Sequence, residues 1–295
     1  MVQGGNMKGY IVSFSAILLL SSMLLFSMFY SENVNSRNYS GNEIKKYSKI
    51  EFIKDDLGFD VNKILGTSIE VQKEGNLEIV FREQMPADFN KMQRVVKLKE
   101  FIESSYSAIN NSEIELNISR MNKVIPVRFS NGLEYDYNFD SGKNSIVFYS
   151  TNGNTDISSM DLNLNVSGSS VYVSNFLFPP NPDVTVNFNY VDGNALNEKH
   201  ETLLVNSGLD YPIIIRFSND AEDIIEIHLG SFDAKTNAVK VWNKTLNENK
   251  ISLGLKTIMP TIDFNSGFKA FVDMDLNYMQ TDINSDSLIE LKQFS

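Results

Sequence analysis

From Glu113 to the end of the chain, apolar residues fall at every second position in one run after another. This period constrains the fold more than any other feature. Ile114-x-Leu116-x-Ile118, Leu133-x-Tyr135-x-Tyr137-x-Phe139, Leu162-x-Leu164-x-Val166, Val171-x-Val173 and Val184-x-Val186-x-Phe188-x-Tyr190 all alternate. Ile213 to Phe217, Ile225-x-Ile227-x-Leu229, Val239-x-Val241, Ile251-x-Leu253-x-Leu255, Phe268 to Tyr278 and Leu288 to Leu291 continue the series. Successive side chains of a strand point to opposite faces, so each run has one face to bury and one to leave in water. Between the runs stand Asn131-Gly132, Ser141-Gly142, Asn152-Gly153-Asn154 and Asp192-Gly193-Asn194, residue types that tolerate the left-handed backbone of tight turns. About a dozen short strands joined this way predict an antiparallel β-sandwich-type region over 113–295. The stiff stretch Phe178-Pro179-Pro180-Asn181-Pro182 is expected to divide it into two subdomains near 178–182.

Residues 43–112 carry a different signal and are expected to form a small α+β portion. Ile44, Tyr47, Ile50 and Phe52-Ile53 recur at spacings of three and four, which predicts a helix over Glu43–Leu57. Thr67–Val71 and Leu77–Phe81 flank Lys73-Glu74-Gly75-Asn76 and read as a hairpin. A second helix is expected over Ala87–Ile109, with Phe89, Met92, Val95-Val96, Phe101-Ile102, Tyr106 and Ile109 as its core stripe. Lys91, Arg94, Lys97, Lys99 and Glu100 then form a solvated polar side.

The N-terminal segment is of another kind again. Tyr10 to Tyr30 holds no charged residue, and eleven of its residues are Leu, Ile, Val or Phe. Twenty-one helical residues span roughly 31 Å, the thickness of a hydrocarbon core. Residues 10–30 are therefore expected to be a transmembrane helix in contact with membrane lipid, after a short tail, 1–9, and before a polar linker, 31–42. No small-x-small site follows Phe29-Tyr30, so the segment reads as an anchor, not a cleavable signal. The expectation is a single-pass protein of the cell membrane with its C-terminal domain outside the cytoplasm.

Lys8-Gly9 stands directly before this apolar run. In that respect the segment resembles an archaeal type IV pilin or pilin-like surface protein. In that family a peptidase cuts after the glycine, and the apolar helix then packs laterally into a filament. The resemblance implies cleavage between Gly9 and Tyr10 and homo- or hetero-assembly through the 10–30 helix. It covers about 25 residues, and Phe14 stands where many pilins carry a glutamate. Two functional readings follow: a pilin-like filament subunit or accessory, or a singly anchored surface module that binds a glycan, an envelope layer or a protein partner.

Composition removes several other classes. With 26 Lys and Arg against 37 Asp and Glu the formal charge is -11, which opposes nucleic-acid binding because phosphate contacts need a positive footprint. The chain has no cysteine, which removes disulfides, thiolate metal sites and cysteine nucleophiles. Its two histidines differ in setting. His200 lies beside Glu198, Lys199 and Glu201, whereas His228 occupies the polar phase of Ile225-x-Ile227-x-Leu229 and should face solvent. A zinc site would need both to meet a carboxylate, and a Ser-His-Asp device would need a nucleophile elbow that the sequence lacks.

Asp282-Ile283-Asn284-Ser285-Asp286-Ser287 starts like a calcium loop, but Ser287 replaces the glycine and Gln293 the terminal glutamate, so a polar turn is expected. Five Asn-x-Ser/Thr triplets occur, at Asn38, Asn110, Asn117, Asn165 and Asn243. With 34 Asn and 43 Ser or Thr in 295 residues, chance alone supplies about five such triplets. The sequence therefore nominates no catalytic residue, no metal ligand and no cofactor, and a binding or structural role is expected over an enzymatic one.

Overall fold

The computed structural model describes residues 23, 27–28, 47–74, 76–85, 90–110, 112–121, 123–140, 143–151, 157–174, 179–195, 197–246, 249–259, 269–280 and 283–291. The chain divides into two compact units, Met1–Ile53 and Lys54–Ser295. In the first, Met23, Ser27, Met28 and residues 47–53 are described, and all are helical. The rest of the expected Tyr10–Tyr30 span lies outside the described residues, as do the 1–9 tail and the 31–42 linker. Among the described residues no helix is long and apolar enough to cross a membrane.

The second unit is mainly β, with two sheets among the described residues. One has six strands in the order β1 (Ser68–Glu74), β2 (Asn76–Met85), β14 (Ile251–Met259), β7 (Ser159–Val166), β9 (Val184–Val191), β10 (Lys199–Val205). The other runs β16 (Ile283–Glu290), β15 (Ala270–Gln280), β4 (Val124–Phe129), β5 (Leu133–Asp140), β6 (Lys143–Ser150), β13 (Lys235–Asn243), β12 (Ile224–Phe232), β11 (Asp210–Arg216), β8 (Tyr172–Val173). A tenth strand, β3 (Glu113–Asn117), also pairs with β15.

The apolar phase of these strands is the core. In β2, Leu77, Ile79, Phe81 and Met85 are buried while Asn76, Arg82 and Gln84 are exposed. In β7, Met160, Leu162, Leu164 and Val166 are buried opposite Asn163 and Asn165. The two sheets meet face to face through aromatic rings. Phe81 of the six-stranded sheet stacks on Tyr135 of the other at 5.4 Å and meets the rings of Phe129 and Phe148 edge-on at 5.4 and 4.9 Å. Offset and edge contacts of this kind suit the ring quadrupole and add to the burial of apolar area.

One pair departs from the antiparallel expectation: β7 and β9 are parallel, from Ser159↔Thr185 to Asn165↔Val191. Between them the chain crosses to the other sheet, where β8 pairs with β11 at Ile215↔Val173, and then returns. A parallel neighbour needs such a crossover, because a hairpin cannot make one. Nor do β1 and β2 stand apart as a separate α+β portion. β2 pairs with β14 over nine positions, from Ile251↔Met85 to Met259↔Leu77, and residues 179–182 lie within the same compact unit.

The helices differ from expectation in length and register. Helix α1 runs over residues 47–65, beyond the expected end at Leu57. Gly58 weakens the helix interior by about 1 kcal/mol, but the stripe continues past it through Leu57, Val61 and Leu65. Gly66, at φ 63°, ends it by donating its N–H to the Asn62 carbonyl. Helix α2 (Lys91–Phe101) is capped by Asn90, whose side chain accepts from the Gln93 N–H, and continues through a π-turn at Ile102–Tyr106 into α3 (Ser107–Asn110). Its buried positions are Lys91, Val95, Leu98 and Ile102, whereas the expected core residues Val96, Phe101 and Ile109 are exposed. The stripe is turned because Lys91, expected in solvent, is 3 % exposed and paired inside the protein.

Candidate binding face

The alternation that buries one phase of each strand places the other on an outer face. On the six-stranded sheet that phase is dominated by amides and hydroxyls, arranged in rows across the strands. One row follows the register Arg82–Gly254–Asn163–Asn189–His200. The Asn189 side-chain amide donates to Asn163 Oδ1 at 2.8 Å, and His200 Nδ1 lies 2.9 Å from Asn189 Oδ1. The next row is Val80–Lys256–Asp161–Asn187–Thr202. There the Asn187 amide donates to Asp161 at 2.7 Å and the Thr202 hydroxyl to Asn187 Oδ1 at 3.2 Å. Of the charges on this face, Arg82 pairs with Glu70 and Lys256 with Glu78, while Asp161 is held by the Asn187 amide.

At one end of the face the row Gln84–Ser252–Asn165 borders a groove of about 410 Å³. Val191, half-buried, adds apolar surface to it; Ser167, Asp192 and Lys250 complete its rim, and the buried Val166 and Ile251 lie beneath it. The surrounding loops are tightly held. The Ser167 N–H donates to the Lys250 carbonyl at 2.9 Å, and the Lys250 N–H returns a bond to Ser167 Oγ at 2.9 Å. Asp192, 3 % exposed, accepts from the Ser170 N–H and hydroxyl and from the Asn194 N–H. Gly193 is needed for close approach, since a Cβ there would sit 2.1 Å from the Ser167 carbonyl oxygen. By contrast, the side chains of Gln84, Ser252 and Asn165 make no hydrogen bond among the described residues.

The outer face of the ten-stranded sheet is built from charges that neutralise one another. Asp273 is buried between the guanidinium groups of Arg120 and Arg128, each at 3.1 Å. His228 has Asp210 at 2.9 Å on Nδ1 and Glu226 at 3.0 Å on Nε2, and is half-buried instead of fully in solvent. Burial alone would raise the Glu226 carboxyl, but Lys244, and after it His228, outweigh burial and hold it below the usual carboxylate range. The Lys244 ammonium also lies 3.6 Å from the ring centre of Trp242.

A third polar group lies inside, between the sheets and α2. Glu83 accepts from Lys91 Nζ at 2.6 Å, from the Thr67 hydroxyl at 2.5 Å and from the Tyr135 hydroxyl at 2.7 Å. Lys91 also sits 4.3 Å from the ring centre of Tyr137. Burial lowers the Lys91 pKa, with Glu83 opposing, and burial followed by Glu83 raises that of Tyr135 well above its ordinary value. All of its polar groups being matched, this cluster is a fixed element of the core.

The two histidines lie on different sheets, His200 in β10 and His228 in β12, so they do not meet at a zinc ion. Among the described residues no group of three or more His, Cys, Asp or Glu side chains could hold a metal. Asp282 lies outside the described residues, and Asn284 and Asp286 are paired strand positions of β16, not part of the expected turn. Of the sequons, Asn165 is exposed beside the groove, whereas Asn243 is buried with its amide donating to the Asn249 carbonyl. Asn38 lies outside the described residues. The amide rows had no motif to announce them. Their only sequence signal is that the polar phase of two strands is Asn163, Asn165 and Asn187, Asn189. No family model, curated protein or solved structure matches this chain.

Proposed function

We propose that this chain is a membrane-tethered surface module that binds through the outer face of its six-stranded sheet. Residues 10–30 act as the lipid-embedded tether, and the sandwich beyond them makes a non-covalent contact. The observation that carries this reading is the amide and hydroxyl surface, with two rows bonded internally and the groove row unpaired among the described residues. Pre-ordered polar groups of this sort lower the ordering cost of binding. The acidic balance of the chain favours a partner other than nucleic acid.

The reading is tested by fractionating cells that make the full chain and adding protease outside. The chain should resist alkaline extraction of the membrane, dissolve in detergent, and lose its sandwich to external protease on intact cells. Release by alkali, or full protection in intact cells, would sink it. The second reading, a filament subunit or accessory assembling through the same helix, draws on Lys8-Gly9 before the apolar run. Intact mass separates the two: a chain beginning at Tyr10 supports the filament, and an uncut form supports the plain tether.

A further inference from the structure

We infer that the groove bordered by Gln84, Ser252 and Asn165, with the Asn163–Asn189 row beside it, binds a neutral saccharide; this rests on the docking role just proposed for the face. Three observations converge on that ligand class. The groove, at about 410 Å³, lies within the range of about 300 to 1,000 Å³ typical of small-molecule sites. It offers two primary amides and a hydroxyl with no partner among the described residues, beside the half-buried apolar side chain of Val191. A sugar ring has the matching make-up: hydroxyls round its edge that donate and accept, and C–H faces that seek apolar contact. An amide presents a donor and an acceptor side by side, as adjacent ring hydroxyls require.

The second observation is charge. The chain carries -11 overall, yet on this face Arg82 pairs with Glu70, Lys256 pairs with Glu78 and Asp161 is held by the Asn187 amide, and the groove lining holds one lysine and one buried aspartate. With its cations already paired, such a face offers little to select an anion, whereas a neutral ligand meets no penalty. The third is spacing. The rows run across strands about 4.8 Å apart, so hydrogen-bonding groups recur at close to the length of one sugar ring in an extended chain. Gly254 leaves a gap in the side-chain cover between Arg82 and Asn163, where such a chain could lie against the sheet.

The test uses the full chain in a detergent without a sugar headgroup, since alkyl glycosides would compete. Neutral gluco-, manno- and chito-oligosaccharides are titrated by calorimetry and by saturation-transfer NMR, with oligouronic acids and inorganic phosphate as charged probes. Saturable binding of at least one neutral oligosaccharide is expected. Asn165→Ala with Gln84→Ala should weaken it about tenfold, in keeping with one or two lost hydrogen bonds. Trp242→Ala, on the other sheet, should leave it unchanged. The inference is overturned by no saturable binding, by a preference for phosphate or uronic acids, or by binding insensitive to the groove variants but lost with Trp242→Ala. A chain that proves tethered and surface-exposed yet binds no saccharide would overturn this inference and leave the docking role standing.

Discussion

Glu83 and Gln84 are neighbours on β2, and the pleat sends them to opposite sides of the same sheet. Glu83 enters a dry cluster where Lys91, Thr67 and Tyr135 satisfy its carboxylate. Gln84 emerges beside the groove, its side chain making no hydrogen bond among the described residues. The contrast separates two uses of polar chemistry. Inside, each polar group must be matched because an unpaired charge in a low dielectric is costly, so the cluster fixes α2 on the sandwich. Outside, water stands in for any missing partner, so the same groups are held ready for a ligand at almost no cost in stability.

The inner side of the comparison should break most severely. Lys91→Ala leaves the Glu83 carboxylate buried without its cation and should cost about 3 to 5 kcal/mol in urea unfolding. Replacing both, Glu83→Leu with Lys91→Met, should recover most of that loss. A double variant as unstable as the single one would show that Tyr135 and Thr67, not the ion pair, hold the cluster together. Next in size is Gly193→Ala, which drives a Cβ to 2.1 Å from a backbone oxygen at the groove rim. A loss of about 1 to 3 kcal/mol, from backbone strain, is expected in thermal unfolding.

Tyr190 sharpens the comparison through pH. Its phenol is fully buried, its hydroxyl makes no well-aligned hydrogen bond among the described residues, and burial, opposed by the nearby Ser170 hydroxyl and with Asp192 adding, pushes its pKa up to about 12. The unfolded chain loses that proton near pH 10. A raised folded value means the stabilisation is complete below about pH 10 and is lost as pH rises towards about 12. Tyr190→Phe should flatten that alkaline decline and match or exceed the parent's stability at pH 7, because removing an unpaired hydroxyl relieves its desolvation cost. A steeper decline in the variant would contradict the assignment. The smallest effect belongs to the outer rows: Asn163→Ala and Asn189→Ala should each change stability by no more than about 0.5 kcal/mol.

Much of this architecture was legible in the sequence because a period of two survives any tertiary arrangement. Leu162, Leu164 and Val166 had one face to bury wherever their strand ended up. Three strands escaped for local reasons: β4 carries Pro126, β6 reads as a continuous buried run at Ser145–Phe148, and in β10 the charged start Lys199–Glu201 masks Leu203 and Val205. The register of α2 was misread because a lysine counts as solvent-facing until its partner is known, and Glu83 reaches Lys91 only through the fold. The amide rows were half legible. Asn163 and Asn189 stood in the polar phase of their strands, but their pairing depends on a parallel neighbour created by the excursion through β8.

The most direct measurement takes Asn163→Ala/Asn189→Ala and follows two quantities in one preparation: the unfolding midpoint and binding to the carbohydrate fraction of the cell envelope. If the outer rows serve a ligand and not the fold, the midpoint stays within a degree or two while binding weakens about tenfold. A variant that unfolds several degrees earlier, or binds as the parent does, would contradict the account.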